Sequence, residues 1–252
     1  MPQSQYGRVR YINDFMGAEI PVANAVAYGD TAGGCNYYLG EYKVTGDLAE
    51  TDTGVVSLAK ANGYIRISGN NENGKGVAVG TEAIFSPTLN GTLAAECRLE
   101  RAAVTAGVVY FGYCDVNADD VAEPVTSTGT THTLVASDLA GFILDSQLTA
   151  TATWHMVHNG GTTTGVTDST ALLGASGGIV AVAGESDVLR IEIERDGTAR
   201  WYINELLEQT VTNAVSTTVL QAAYVACFGT TTTAASVDVD YLATEFNRDW
   251  TR

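Results

Sequence analysis

Apolar residues recur at every second position through much of the chain. Val188-Leu189-Arg190-Ile191-Glu192-Ile193-Glu194-Arg195 alternates in this way, as does Ala235-Ser236-Val237-Asp238-Val239-Asp240-Tyr241-Leu242. Ala94-Ala95-Glu96-Cys97-Arg98-Leu99-Glu100-Arg101 alternates small or apolar with polar. A period of two puts one strand face in a core and the other toward solvent. Gly107-Val108-Val109-Tyr110-Phe111-Gly112-Tyr113-Cys114 is instead a continuous apolar run, the pattern of a buried central strand. Asp196-Gly197 predicts a tight hairpin with arms Leu189 to Arg195 and Ala199 to Glu205, because Asp-Gly supplies positive φ angles. A short helical turn is expected at Ser137-Asp138-Leu139-Ala140, and no long amphipathic helix is visible. Short strands joined by Gly- and Thr-rich turns make an all-β chain, a sandwich rather than an α/β fold.

The 252 residues carry no linker, charge block or Pro-rich boundary, and only 4 prolines. No internal repeat of propeller or solenoid length appears. The expected organisation is an N-terminal arm, residues 1–10, followed by one sandwich domain over 11–252. Thr130-Thr131, Thr162 to Thr164 and Thr230 to Thr233 read as exposed strand edges or loops. With 29 Asp and Glu against 13 Lys and Arg, the formal charge is −16. Such a field repels phosphate backbones and excludes nucleic acid as a partner. No apolar run has the length of a membrane span, and the first residues lack an apolar signal core, so an unexported protein is expected. Cys35, Cys97, Cys114 and Cys227 form no CxxC pair. They are expected as reduced, buried thiols rather than zinc ligands or disulfides.

Candidate chemistry is sparse. Glu192, Glu194 and Asp196 project from one strand face, as the paired acid and nucleophile of a glycosidase must. Because Ile191 and Ile193 point inward, the simpler reading is a solvated outer face. Asp115, Asn117 and Asp119, with Asp120 and Glu123, place alternating oxygen donors in one loop, and calcium is the cation they suit. The sixth position is Asp120 rather than Gly and the twelfth is Thr126 rather than Glu, so this is no EF-hand. His155 and His158 fall on opposite sides of a strand and cannot share a metal; His132 stands alone in a threonine loop. Nucleophile-elbow and phosphate-loop patterns are missing. Tyr37, Tyr38 and Trp154 are the candidate ring faces for stacking on sugars, whereas Trp201 pairs with Ile203 in pattern and reads as core.

Two segments resemble concanavalin A-like sandwiches of the laminin-G, pentraxin and glucanase type. Tyr11-Ile12-Asn13-Asp14-Phe15-Met16-Gly17 is similar to their Asp-Asp-Phe-aromatic-Gly opening. Arg195-Asp196-Gly197-Thr198-Ala199-Arg200-Trp201-Tyr202-Ile203-Asn204-Glu205 is similar to their strand-hairpin signature, with Glu205 where Gly is usual. An ordered series further resembles structural proteins of tailed bacteriophage particles. It runs Phe85-Ser86-Pro87, Glu96 to Leu99, Val109 to Asp115, Gly141 to Ser146 and Thr153-Trp154-His155. The resemblance implies a jelly-roll sandwich of two antiparallel sheets and a virion location. It implies a non-enzymatic capsid decoration (cement) protein, bound to the major capsid protein or another virion protein as a dimer or trimer. Arg8 and Arg10, the basic spot of the arm, are then the candidate capsid tether. The alternative is a lectin-like module engaging host glycans, with calcium as its cofactor. A glucanase-like hydrolase is the least expected, since Glu192-x-Glu194-x-Asp196 replaces the Glu-x-Asp-x-Glu strand of laminarinase-like members.

Overall fold

The computed structural model describes residues 7–16, 37–46, 54–69, 71–116, 121–230 and 234–248. The first strands are β1 (Arg8–Asn13), β2 (Tyr37–Leu39), β3 (Tyr42–Gly46), β4 (Gly54–Leu58), β5 (Tyr64–Gly69) and β6 (Gly76–Gly80). After a one-turn helix, α1 (Pro87–Asn90), come β7 (Leu93–Glu100), β8 (Val108–Cys114), β9 (Val125–Thr128), β10 (Thr131–Leu134) and β11 (Leu139–Asp145). The remainder are β12 (His155–Asn159), β13 (Ser186–Ile193), β14 (Ala199–Ile203), β15 (Leu206–Val211), β16 (Ala222–Phe228) and β17 (Ala235–Asn247). Apart from β9 and β10, which pair with each other, they assemble into two antiparallel sheets. The first has the order β15-β14-β13-β7-β17-β5-β4, with β1 also paired to β17; the second runs β12-β11-β8-β16-β6-β3-β2.

Alternation decides which residues meet between the sheets. Ile65, Ile67, Cys97, Leu99, Leu189, Ile191, Trp201 and Val237 from the first sheet are buried against the second. Val79, Phe111, Tyr113, Phe142, Met156 and Val225 answer from the second sheet. Two side chains tie the layers by polar contacts as well. The Trp201 indole Nε1 donates to the Gly141 carbonyl at 2.9 Å, and the Tyr42 hydroxyl donates to the Leu242 carbonyl at 3.0 Å. Paired buried groups of this kind keep a polar atom from being stranded in an apolar core.

The second sheet is buried on its other face too, so β8, β11 and β16 are buried throughout, as the run at Gly107–Cys114 predicts for β8. The hairpin β9–β10 and a 3-10 turn at Ser169–Leu172 lie over Val108, Tyr110, Ile143, Val157, Tyr224 and Phe228. His132 N donates to the Thr167 carbonyl and Ser169 N to the Thr130 carbonyl, which join the two covering pieces.

Three sequence expectations need correction. The arm does not extend to residue 10: β1 begins at Arg8 and runs antiparallel to β17 from Arg8↔Asn247 to Asn13↔Leu242, because Val9 and Tyr11 have core to pack on. Ser137 and Asp138 form a bend leading into β11, not a helical turn. The Asp138 carboxylate accepts there from Ser216 N and Gln221 Nε2. The Asp196-Gly197 hairpin exists, but only Gly197 takes a positive φ, of 82°, in a loop closed by Glu194 N to Thr198 O at 2.8 Å. The tighter turn is the next one, where Asn204 and Glu205 carry φ of 50° and 70° between β14 and β15. Cys97, Cys114 and Cys227 are buried free thiols, with burial pushing Cys114 up to about 12 and Cys227 up to about 11; Cys35 lies outside the described residues.

Candidate functional site

The outward residues of the first sheet fall into cross-strand rows. One row reads Tyr202, Arg190, Glu96 across β14, β13 and β7, and the next reads Arg200, Glu192, Ala94, Glu245, Arg10. Opposite charges in register pair off. Arg190 bridges Glu192 at 2.8 Å and Glu96 at 3.1 Å, while Arg98 holds Asp240 at 2.8 Å. Arg200 pairs with Glu194, and Arg66 and Lys60 both reach Asp238 at 2.7 Å, with Lys60 also on Glu100. Arg8 and Arg10 both bind Glu245. These seven cations and seven carboxylates balance one another in number, and Glu205 at the edge of the face adds a carboxylate outside those pairs. The rest of the chain keeps six basic residues against twenty-two acidic ones.

Within this face lies a groove of about 260 Å³ lined by Glu96, Val188, Arg190, Tyr202 and Glu205. Its polar atoms are already organised. The Tyr202 hydroxyl donates to Glu192 Oε2 at 3.3 Å, and the Tyr241 hydroxyl donates to Glu96 Oε1 at 2.8 Å. Burial and the neighbouring carboxylates push both phenols up, so each keeps its proton on the hydrogen bond. Glu205 reaches the rim from the strained turn. The groove therefore offers aromatic surface, carboxylate acceptors and one guanidinium, a set that fits a polyhydroxylated ligand.

The residues singled out in the sequence fare unevenly. Trp154 is fully buried, with Nε1 donating to Asp187 Oδ2 at 2.9 Å, so its indole is core and not a stacking platform. Tyr38 is 55% exposed and donates to Glu82 at 3.3 Å. The Tyr37 side chain lies outside the described residues, as do Asn117 and Asp119. Asp115 accepts from Ser137 Oγ, and among the described residues no group of three or more metal-ligating side chains gathers. Arg8 and Arg10 are not a free basic spot, since both are paired with Glu245 from within the same sheet. Glu192 and Glu194 take the solvated outer face, and Asp196 caps its own turn through Thr198 N at 2.9 Å. His155 and His158 face opposite ways: His158 packs near Trp201, and His155 turns under the hairpin toward His132, 5.3 Å between ring centroids.

That His132–His155 contact went unread in the sequence, as did the groove. Tyr202, Arg190 and Glu96 span three strands, and alternation alone gives each residue its face but not its neighbour.

No protein-family model matches the chain, and no curated protein matches it. Solved structures do. A protein of unknown function from Shewanella oneidensis superposes with a TM-score of 0.57 at 10% identity, covering 97% of this chain and 89% of that one. Peanut lectin gives 0.51 at 10% identity, covering 95% and 97%. The carbohydrate recognition domain of Emp47p gives 0.51 at 9% identity, covering 91% and 94%. The chain has the concanavalin A-like, legume-lectin-type jelly-roll sandwich fold.

Proposed function

We propose that this protein is a non-enzymatic, carbohydrate-binding sandwich carried on a bacteriophage particle, where it engages host-surface glycans. The observation that carries the binding role is the groove on the first sheet, with Tyr202 as its ring and Glu96 and Arg190 as its polar contacts. The likeness of fold to peanut lectin and to a carbohydrate recognition domain supports the ligand class, and the ordered motif series supports the virion location. The state of the best carboxylates supports a role without catalysis. Glu192 and Glu194 are bound to Arg190 and Arg200, so they serve the sheet rather than a scissile bond. The test is a glycan array followed by calorimetry, with Tyr202→Ala and Arg190→Ala as variants. Each should weaken binding at least tenfold with little change in melting temperature, and unchanged affinity in both would refute the groove.

A second reading, a capsid decoration protein on the major capsid protein, draws on the paired charges of this face. A chain of −16 can be repeated on a lattice only through a surface that does not repel its neighbours. Counting copies per particle by mass spectrometry separates the two. Hundreds of copies favour decoration; a few to a few dozen favour a tail, fibre or vertex and the glycan role.

A further inference from the structure

Resting on the glycan reading above, we infer that the groove selects uncharged and amino sugars and turns away uronic, sialylated and sulfated ones. The reason lies in its balance of charge and of donors. Glu96 and Glu205 line the groove and Glu192 stands behind Arg190, so three carboxylates face one guanidinium. The flanking charges do not change this sum, because Arg98 is held by Asp240 on one side and Arg200 by Glu194 on the other.

The donors tell the same story. Arg190 commits Nε to Glu192 and Nη1 to Glu96, and the phenol protons of Tyr202 and Tyr241 point at those same two carboxylates. What remains for a ligand is mainly acceptor capacity on carboxylate oxygens. A sugar hydroxyl or ammonium donates to such oxygens, with the added strength of a charge-assisted bond. A carboxylate or sulfate can only accept, and it meets two uncompensated negative charges. At about 5 Å in a near-aqueous dielectric, two such charges weaken an anion's binding by about tenfold and strengthen a cation's similarly.

Glu205 adds a separate observation. It holds a φ of 70° in a two-residue turn where glycine would be unstrained, yet it presents a carboxylate at the groove's rim. Strain retained at a site edge is the kind of outlier that points to a local role.

The experiment takes the best neutral glycan from the array and compares it with its uronate and amino counterparts by calorimetry at about 0.05 M and about 0.5 M salt, the range over which screening removes surface electrostatics. The uronate should bind about tenfold more weakly and the amino sugar about tenfold more tightly at low salt, with both gaps shrinking at high salt. Glu205→Gln, which keeps the backbone and removes one charge from an exposed turn, should narrow the uronate gap to about threefold. A uronate that binds as well as the neutral sugar, or better, overturns the selectivity and leaves the glycan reading standing. Failure of every neutral, amino and acidic glycan to bind removes the glycan reading itself.

Discussion

Replacing Glu123 with Gln should remove one buried carboxyl's share of the stability that the chain loses as pH rises. Glu123 is 5% exposed, and its Oε1 has no partner among the described residues. Burial, helped by Asp145, pushes its carboxyl from 4.5 up to about 7. A carboxyl raised in this way holds its proton more tightly in the folded chain than in the unfolded one. Its contribution is therefore complete below pH 4.5 and is lost as pH climbs to about 7. At about 1.4 kcal/mol per tenfold change in proton affinity, the loss is about 3 kcal/mol. Glutamine has the same shape and no proton to lose, so Glu123→Gln should gain about 3 kcal/mol on the wild type between pH 4 and pH 8. The assay is urea denaturation followed by the fluorescence of buried Trp154 and Trp201 at half-unit steps of pH. Asp138, also raised by burial, is common to both proteins and cancels in the difference. A wild-type-to-variant difference that stays constant across the range would refute the argument that this carboxyl is desolvated.

His132 provides the opposite slope: burial lowers it from 6.5 to about 4, so its contribution is present above 6.5 and is lost as pH falls to about 4. His132→Gln should accordingly gain on the wild type as pH falls from 6.5 to 4, read in the same urea series, and a flat difference would count against it. Trp201→Phe strands the Gly141 carbonyl between the sheets and should cost about 2 kcal/mol by calorimetric melting; a cost under about 0.5 would mean that water replaces the indole. Glu205→Gly should stabilise by about 1 kcal/mol, since glycine accepts the positive φ freely, and destabilisation would show that the turn is not left-handed. Arg98→Ala takes the guanidinium from the buried Asp240 carboxylate and should cost about 1–3 kcal/mol in the same melting experiment. A much larger loss would reveal that this face is covered in an assembly.

The strands were legible because burial on one face or two leaves a period in the sequence. The doubly apolar run at Val108–Cys114 announces a sheet covered on both sides, and Ile191 and Ile193 correctly orient Glu192 and Glu194 outward. Trp154 shows where such reading fails. It lies just before the buried β12, whose sequence His155-Met156-Val157-His158-Asn159 is largely polar, and its depth depends on Asp187, thirty-three residues away, accepting the indole N–H. Arg8 and Arg10 look like a basic arm until register with β17 supplies Glu245. His132 and His155 meet because a hairpin folds back over a sheet, a long-range event that no local pattern encodes. The groove has the same origin: Glu96 and Arg190 are ninety-four residues apart and adjacent only through strand pairing.

The uneven distribution of charge has a mechanical consequence. Because the first sheet's outer face carries mostly matched pairs and the residues outside those pairs number six basic against twenty-two acidic, the sheet that holds the groove is the less acidic side of an electric dipole. Approaching an acidic envelope, such a body feels a torque before it feels a contact, and rotates until its acidic bulk faces away. Diffusion would then deliver the groove side first, so that orientation, ordinarily a matter of repeated random encounters, is settled within a Debye length of the surface.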